Sequence, residues 1–368
     1  MPAHLAEEPP PGRSRLVIVL GAGASADVVP TTVTLTKCAQ EREDRLVAAI
    51  ACHERIHHPN LTFEDVLEAG RRRLRLDHRP APDGDLGTSL ENYFRDVVRQ
   101  ITSCVQAHEA SGAVAAQVPL LKTLAKSFYV TVASLNWDDL AWDPLDPWYC
   151  GFRAGRFDDD YVRYASDPQA HRILWLHGSV HFRVQMDNCV PTMEWMSERQ
   201  QIAHATLLPQ DDRGFAGPLI TGRAKDRQLW RTPFVDYRYT LYRDLLRASA
   251  VLVVGYSGND HDLNDILHAA VSVGAPKVLM RIDHTDEGKF LTVAQELEWW
   301  NRVAGHAVRN TVPVDGARRI RPADGLVSVT DPGRVAGFSP FSQYLSLGGC
   351  QWMAAHSDEV MAALTGSV

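Results

Sequence analysis

The stretch RLVIVLGAGASADVVP, residues 15–30, decides how the chain is read. Five apolar residues in a row, Leu16 to Leu20, suit a strand that helices cover on both faces, where hydrophobicity is continuous and not alternating. The run stops at Gly21-Ala22-Gly23-Ala24-Ser25. A strand ending in Gly-x-Gly turns sharply, and glycine is expected there for dihedrals closed to other residues and for letting backbone N–H groups approach a diphosphate. A helix beginning just beyond favours an anion at its N-terminus. Read alone, the motif is equally a turn without ligand, because Ala26 stands where G-x-G-x-x-G requires its third glycine.

Four further runs of the same kind follow: YVTVASL (129–135), RILWL (172–176), AVLVVG (250–255) and KVLMRI (277–282). Together they predict an α/β fold, a Rossmann-like parallel sheet with helices on both faces. The span between the first two strands is too long for a simple crossover. LTFEDVLEAGRRRLRL (61–76) and SLENYFRDVVRQITSCVQ (89–106) carry apolar residues at helical spacing, so a large helical insertion is expected over about 45–127. A second, irregular insertion over about 181–235 is expected to wall the site. Residues 1–14 read as a disordered lead-in, 15–304 as the main domain and 305–368 as an extension packed on it.

Composition narrows the function. The chain has 368 residues, 45% hydrophobic and 23% charged, with a formal net charge of −7, which fits a globular protein and leaves nucleic acid unindicated as a partner. The short run Arg71-Arg72-Arg73 with Arg75 reads as a solvated helix face. No window approaches the roughly 18 apolar residues of a membrane span, and the acidic, proline-rich start is unlike a signal peptide, so a cytoplasmic protein is expected. Six cysteines, at 38, 52, 104, 150, 189 and 350, include no C-x-x-C pair. They read as free thiols, and no metal is expected.

Three later junctions carry the chemistry. SLNWDDL (134–140) sets Asn136 and Asp138 at the carboxyl edge of a strand, where open α/β sheets bind ligands. Asn136 offers an amide to orient water or a sugar, and Asp138 an acceptor for ribose hydroxyls; a plain Asn/Asp turn is the alternative. LWLHGSVHF (174–182) delivers His177 to the same edge, a side chain suited to proton transfer near neutral pH, with His181 as a weaker second. VVGYSGNDHDLNDIL (253–267) brings Gly255, Ser257 and Asp260 to the start of a helix, where Asp260 is alternatively a helix cap.

In this order, GAGAS, SLNWDDL, LHG and GYSGND resemble the sirtuin superfamily, and most closely its bacterial sirtuin-like branch, which cleaves NAD and is associated with antiphage defence. The likeness spans about residues 15–300. It implies a catalytic trio of Asn136, His177 and Asp138, with NAD as substrate. It also implies a nucleotide site of Gly21, Ala22, Gly23, Ser25, Asn136, Asp138 and Asp260, with Gly255 and Ser257 toward the adenosine. Three departures stand out: ADVVP lacks the usual glycine and is one residue shorter, Leu135 replaces the glutamine of deacylating sirtuins, and the four zinc cysteines are missing. Hydrolysis of NAD to nicotinamide and ADP-ribose is therefore expected over deacylation. A non-catalytic NAD-sensing subunit, an NAD-dependent deacylase and an ADP-ribosyl transferase remain the alternatives. Partners expected from the resemblance are NAD and either further copies of the chain or a protein of the same defence system.

Overall fold

The apolar run at 16–20 carries backbone groups that need partners on both sides, and two distant segments supply them. In the computed structural model β1 (Ser14–Leu20) pairs in parallel with β2 (Phe128–Ser134) on one side and β10 (Ala248–Val254) on the other. Val17 faces Thr131 and Val251 in register. The structure describes residues 13–30, 45–57, 62–76, 86–112, 115–143, 145–187, 190–199, 229–273, 278–283, 342–346 and 349–365, with short pieces at 35, 206–207, 215–216, 219–220, 291–292, 295, 298–299, 302–303, 319–320 and 327–328. The expected lead-in lies almost wholly outside them.

Beyond β2 the sheet continues with β5 (Arg172–Trp175), and beyond β10 with β11 (Val278–Ile282), β15 (Ser342–Ser346) and a two-residue edge, β14 (Val327–Ser328). All neighbouring pairs are parallel except β14 with β15. Counting the parallel strands in chain order, the sheet reads 3-2-1-4-5-6, the order of a doubly wound Rossmann-type sheet. Strand order reverses between β1 and β10, and ligand crevices open at such a switch point.

Both faces of the sheet are dry. Leu16, Val17, Ile18 and Val19 are all buried, as are Val130, Val132, Val251, Leu252 and Val253. One group of helices, α5 (Tyr161–Ala165), α6 (Phe234–Arg247) and α7 (His261–Ser272), packs together against it. Another, α4 (Gln117–Ala125), α8 (Gly349–Ala355) and α9 (Ser357–Thr365), covers β2 and β11. The stretch after residue 305 thus contributes a strand inside the main sheet, which the sequence did not signal. SQYLS is short and half polar, as strands near a sheet edge can be.

The helical insertion forms α1 (Arg45–His57), α2 (Phe63–Leu76) and α3 (Leu86–Ala110). They bury Ile50, Phe63, Val66, Leu67, Leu90, Phe94, Val97, Val98 and Ile101 in a second core of their own. Thr62 and Asp65 cap α2 reciprocally: Asp65 N–H donates to Thr62 Oγ1 at 3.3 Å, and Thr62 N–H to Asp65 Oδ2 at 3.0 Å. A four-stranded antiparallel sheet of β3 (Phe152–Arg153), β4 (Arg156–Phe157), β6 (Phe182–Asp187) and β7 (Val190–Trp195) lies within 152–195, in the order β3-β4-β7-β6. Two short ladders, β8 (Thr206–Leu207) with β9 (Phe215–Ala216) and β12 (Leu291–Thr292) with β13 (Arg319–Ile320), stand apart.

At the amino ends of the strands the core is ionic. Asp244 of α6 accepts Arg172 Nη1 at 3.0 Å, Arg243 Nη2 at 3.0 Å and the Thr131 hydroxyl at 2.6 Å, with Arg15 Nη1 at 3.8 Å. Main-chain carbonyls of Ala165, Asp167, Pro168 and Ala170 take other guanidinium protons. Burial pulls the Arg15 guanidinium down to about 10, against the opposing pull of Asp244.

Candidate active site

At the carboxyl rim, the turns after β1 and β10 lock into each other. Gly21 N–H donates to Val254 O and Gly23 N–H to Gly255 O, both at 2.9 Å. The expected reason for these glycines needs correcting. Gly21 has φ −104°, and Gly23 likewise lies outside the positive-φ region, so neither needs glycine's dihedral freedom. They are glycines because a Cβ on Gly21 would stand 2.6 Å from Gly255 O, and one on Gly23 2.8 Å from Gly255 Cα. Gly255 itself has φ +60°, the left-handed region that favours glycine. With these two amides committed to protein carbonyls, the turn offers a ligand Ala22 and Ser25, which do line the adjoining cleft.

That cleft spans about 490 Å³ of empty space, open solvent included, and is lined by Ala22, Ser25, Asn136, Asp138 and His177 beside apolar side chains. Asn136 Nδ2 donates to Ser25 Oγ at 2.9 Å. The Ser25 hydroxyl in turn donates to the Asp138 carboxylate, whose Oδ1 also accepts Leu140 N–H at 3.2 Å. Burial pushes Asp138 up to about 6, the hydrogen bonds from Ser25 and Leu140 offsetting part of that rise. Between the two polar residues Trp137 also lines the cleft and packs into the helical core, with its ring edge-on to Phe63 at a centroid distance of 5.4 Å. The anchored indole fixes the loop, and the flanking polar residues face the cleft.

His177 follows β5, and its carbonyl accepts Ile220 N–H at 2.8 Å while Gly178 turns the chain at φ +89°. His177 Nε2 lies 2.9 Å from Asp260 Oδ2. Asp260 is also the N-cap of α7, accepting Leu263 N–H on Oδ1 at 2.9 Å. Gly21, Gly23, Gly255, Ser257 and Asp260, expected at the nucleotide, are not among the residues that line this cleft. The three glycines shape the turn, Ser257 is exposed, and Asp260 stands behind His177. His181, the weaker candidate, belongs elsewhere. Its Nε2 meets Asp139 Oδ2 at 2.8 Å, its Nδ1 meets Met196 O at 2.9 Å, and its ring stacks on Trp195. Burial raises the Asp139 carboxyl, but His181 and Arg199 outweigh it and hold the group below its ordinary value.

The apolar wall was not foreseen. Val29, Pro30, Leu35, Phe63 and Ile101 line the cleft together with Glu64, so the helical insertion roofs the site. The capping residues Thr62 and Asp65 mark where α2 begins, but nothing in the sequence tells that this end reaches the sheet rim. Among the described residues no three His, Cys, Asp or Glu are grouped to hold a metal ion, and no described helix is long and apolar enough to cross a membrane.

No protein-family model matches the chain, and no curated protein does. Among solved structures it is similar to a Sir2 homolog in complex with NAD, at 13% identity and TM-score 0.38 over 79% of this chain and 82% of that one. It is also similar to Sir2Tm bound to a propionylated peptide, at 13% identity and TM-score 0.38 over 75% and 83% of the two chains. A third is a Sir2 homologue complex with 2'-O-acetyl ADP ribose, at 14% identity and TM-score 0.35 over 73% and 79%.

Proposed function

We propose that the protein is an NAD glycohydrolase, releasing nicotinamide and ADP-ribose, and that it acts as the effector of a bacterial antiphage defence system. The observation that carries the reading is that the Asn136 amide and the His177 imidazole line one cleft at the carboxyl rim, beyond β2 and β5, with Ser25 and Asp138 beside them and Asn136 Nδ2 donating to Ser25 Oγ. The defence role rests on the motif resemblance alone.

The chemistry asks little of such a site. The bond from ribose to nicotinamide breaks through an oxocarbenium-like state, and the pyridinium leaves as a neutral molecule, so no general acid is needed. The site supplies orientation, shelter and compensation for positive charge on the ribose. Asn136, tied to Ser25, places the attacking water; His177 polarises a ribose hydroxyl and takes its proton. Asp138, ionised above about pH 6, adds a negative field in a dry setting. Phe63, Ile101 and Val29 give the cleft an apolar wall.

The test is to incubate the purified chain with NAD and resolve the products by chromatography. Nicotinamide with free ADP-ribose is the expected result. An acetylated sugar or a modified protein indicates a transferase, and bound, intact NAD in the presence of the neighbouring gene products indicates a sensor.

A further inference from the structure

We propose that Arg199 is a positioning residue of the cleft, clamping the loop that carries Asn136 and Asp138 to the helix α3 that helps to roof it, an inference that rests on the NAD-cleaving reading above.

The loop after β2 is a wall with two sides. Asn136, Trp137 and Asp138 line the cleft, whereas Asp139 and Leu140 line a second cavity, which spans about 1400 Å³ of empty space, open solvent included. Glu109 and Arg199 line that second cavity as well. Asp138 and Asp139 are neighbours in the chain, so a shift of Asp139 is felt at once by the carboxylate on the cleft side and by the Ser25 and Asn136 side chains joined to it.

Arg199 meets both partners at once. Its Nε donates to Asp139 Oδ2 at 2.7 Å, its Nη1 to Glu109 Oε2 at 2.7 Å and its Nη2 to Glu109 Oε1 at 2.6 Å. The pairing with Glu109 is a two-pronged fork, in which a guanidinium fixes direction as well as distance. Glu109 stands in the last turn of α3, and the same helix carries Ile101 to the cleft. The base of the clamp is the β6–β7 hairpin. Phe182 and Trp195 face each other there, Met196 N–H donates to His181 O at 2.9 Å, and His181 Nε2 stands 2.8 Å from the same Asp139 oxygen. Arg199 follows this hairpin by a few residues and reaches from it to the loop and to the helix.

Magnitudes separate this role from a contribution to stability. Glu109 is 53% exposed, and an ion pair that open adds little to folding. Geometry is a more sensitive quantity, since a displacement of about 1 Å can cost about 100-fold in rate. Trp137 against Phe63 ties the loop to α2 through apolar contact; Arg199 ties it to α3 through directed bonds.

Glu109→Gln, Arg199→Gln, Arg199→Lys and the double variant Glu109→Gln/Arg199→Gln are compared on the full chain. Glu109→Gln changes an exposed side chain and is expected to keep the wild-type melting temperature. Hydrogen exchange read by mass spectrometry is expected to quicken over residues 136–140 in every variant, including Glu109→Gln, whose side chain bonds to that loop only through Arg199. In NAD turnover, Arg199→Gln is expected to lower kcat about 10- to 100-fold, because the loop side chains are displaced. Glu109→Gln is expected to act mainly by raising KM, because the roof is loosened. Arg199→Lys is expected to stay close to Arg199→Gln, since an ammonium has no fork to span two carboxylates. The double variant is expected to be no worse than Arg199→Gln alone, one clamp being lost either way. An arginine that is merely structural lowers the melting temperature and leaves kcat and KM unmoved. Wild-type kcat in Arg199→Gln overturns the proposal, as do additive losses in the double variant or unchanged exchange over 136–140 in Glu109→Gln. A wild-type chain that releases no nicotinamide overturns the NAD-cleaving reading instead, and hydrogen exchange still decides whether Arg199 couples loop and helix.

Discussion

Asn136 and Asp138 are joined through one serine hydroxyl, so neither can be changed without disturbing what the other sees. Asn136→Ala is expected to abolish nicotinamide release while leaving the melting temperature close to wild type, read by product chromatography and thermal unfolding. His177→Ala is expected to cut release by at least about 100-fold, the low end of acid–base contributions. Asp138 gives a stability test. Its folded-state value of about 6 lies above the ordinary 3.8, so below about pH 4 both states are protonated and the group is neutral in its effect. As pH rises through 6 the folded chain comes to hold a charge in a dry site, and stability is lost. Asp138→Asn is therefore expected to match wild type near pH 4 and to exceed it by about 1–3 kcal/mol at pH 8, on the scale of 1.4 kcal/mol per pKa unit. Urea unfolding at the two pH values checks this. The same variant loses activity, which is the usual conflict between a strained site and a stable one.

At the scale of elements, the sequence showed the carboxyl rim well and its reasons less well. Continuous apolar runs exposed five strands within a residue or two, because burial on both faces leaves no polar alternation to confuse the reading. The motifs at their ends marked Asn136 and His177 for the same edge, and both line one cleft. What was not legible is pairwise: that Gly21 and Gly23 answer to Gly255, and that Asp260 answers to His177. Each depends on a contact between loops far apart in sequence, and no local spacing encodes that. Gly255→Ala tests the interlock, since its Cβ would fall 2.1 Å from Ala24 N at a positive φ. The expected loss is about 3 kcal/mol or more, the size reached by strain at special dihedrals combined with a backbone clash. Denaturant unfolding measures it, and NAD turnover should fall with it because the displaced turn carries Ser25.

Across the whole molecule, the sheet separates two kinds of polar chemistry. The carboxyl rim holds the cleft, and the amino rim holds Asp244 among three arginines. That second cluster escaped the sequence reading because Arg15 and Arg172 look like ordinary charged residues flanking a strand. Asp244→Ala is expected to cost about 3–5 kcal/mol, as removing one partner leaves buried positive charge uncompensated. Thermal unfolding reads the loss, and a variant of wild-type stability would show that the carbonyls alone satisfy the arginines.

The place of β1 in the sheet also bears on how the protein is made. It leaves the ribosome before the other described strands and ends at the middle of the sheet. One flank waits for residues near 130 and the other for residues near 250. Until then a sticky ribbon of valine and leucine has nothing native to pair with, the situation in which nascent chains fold slowly and associate with one another. Newly made copies should therefore depend on chaperones, and should become active only once the second flank has been synthesised.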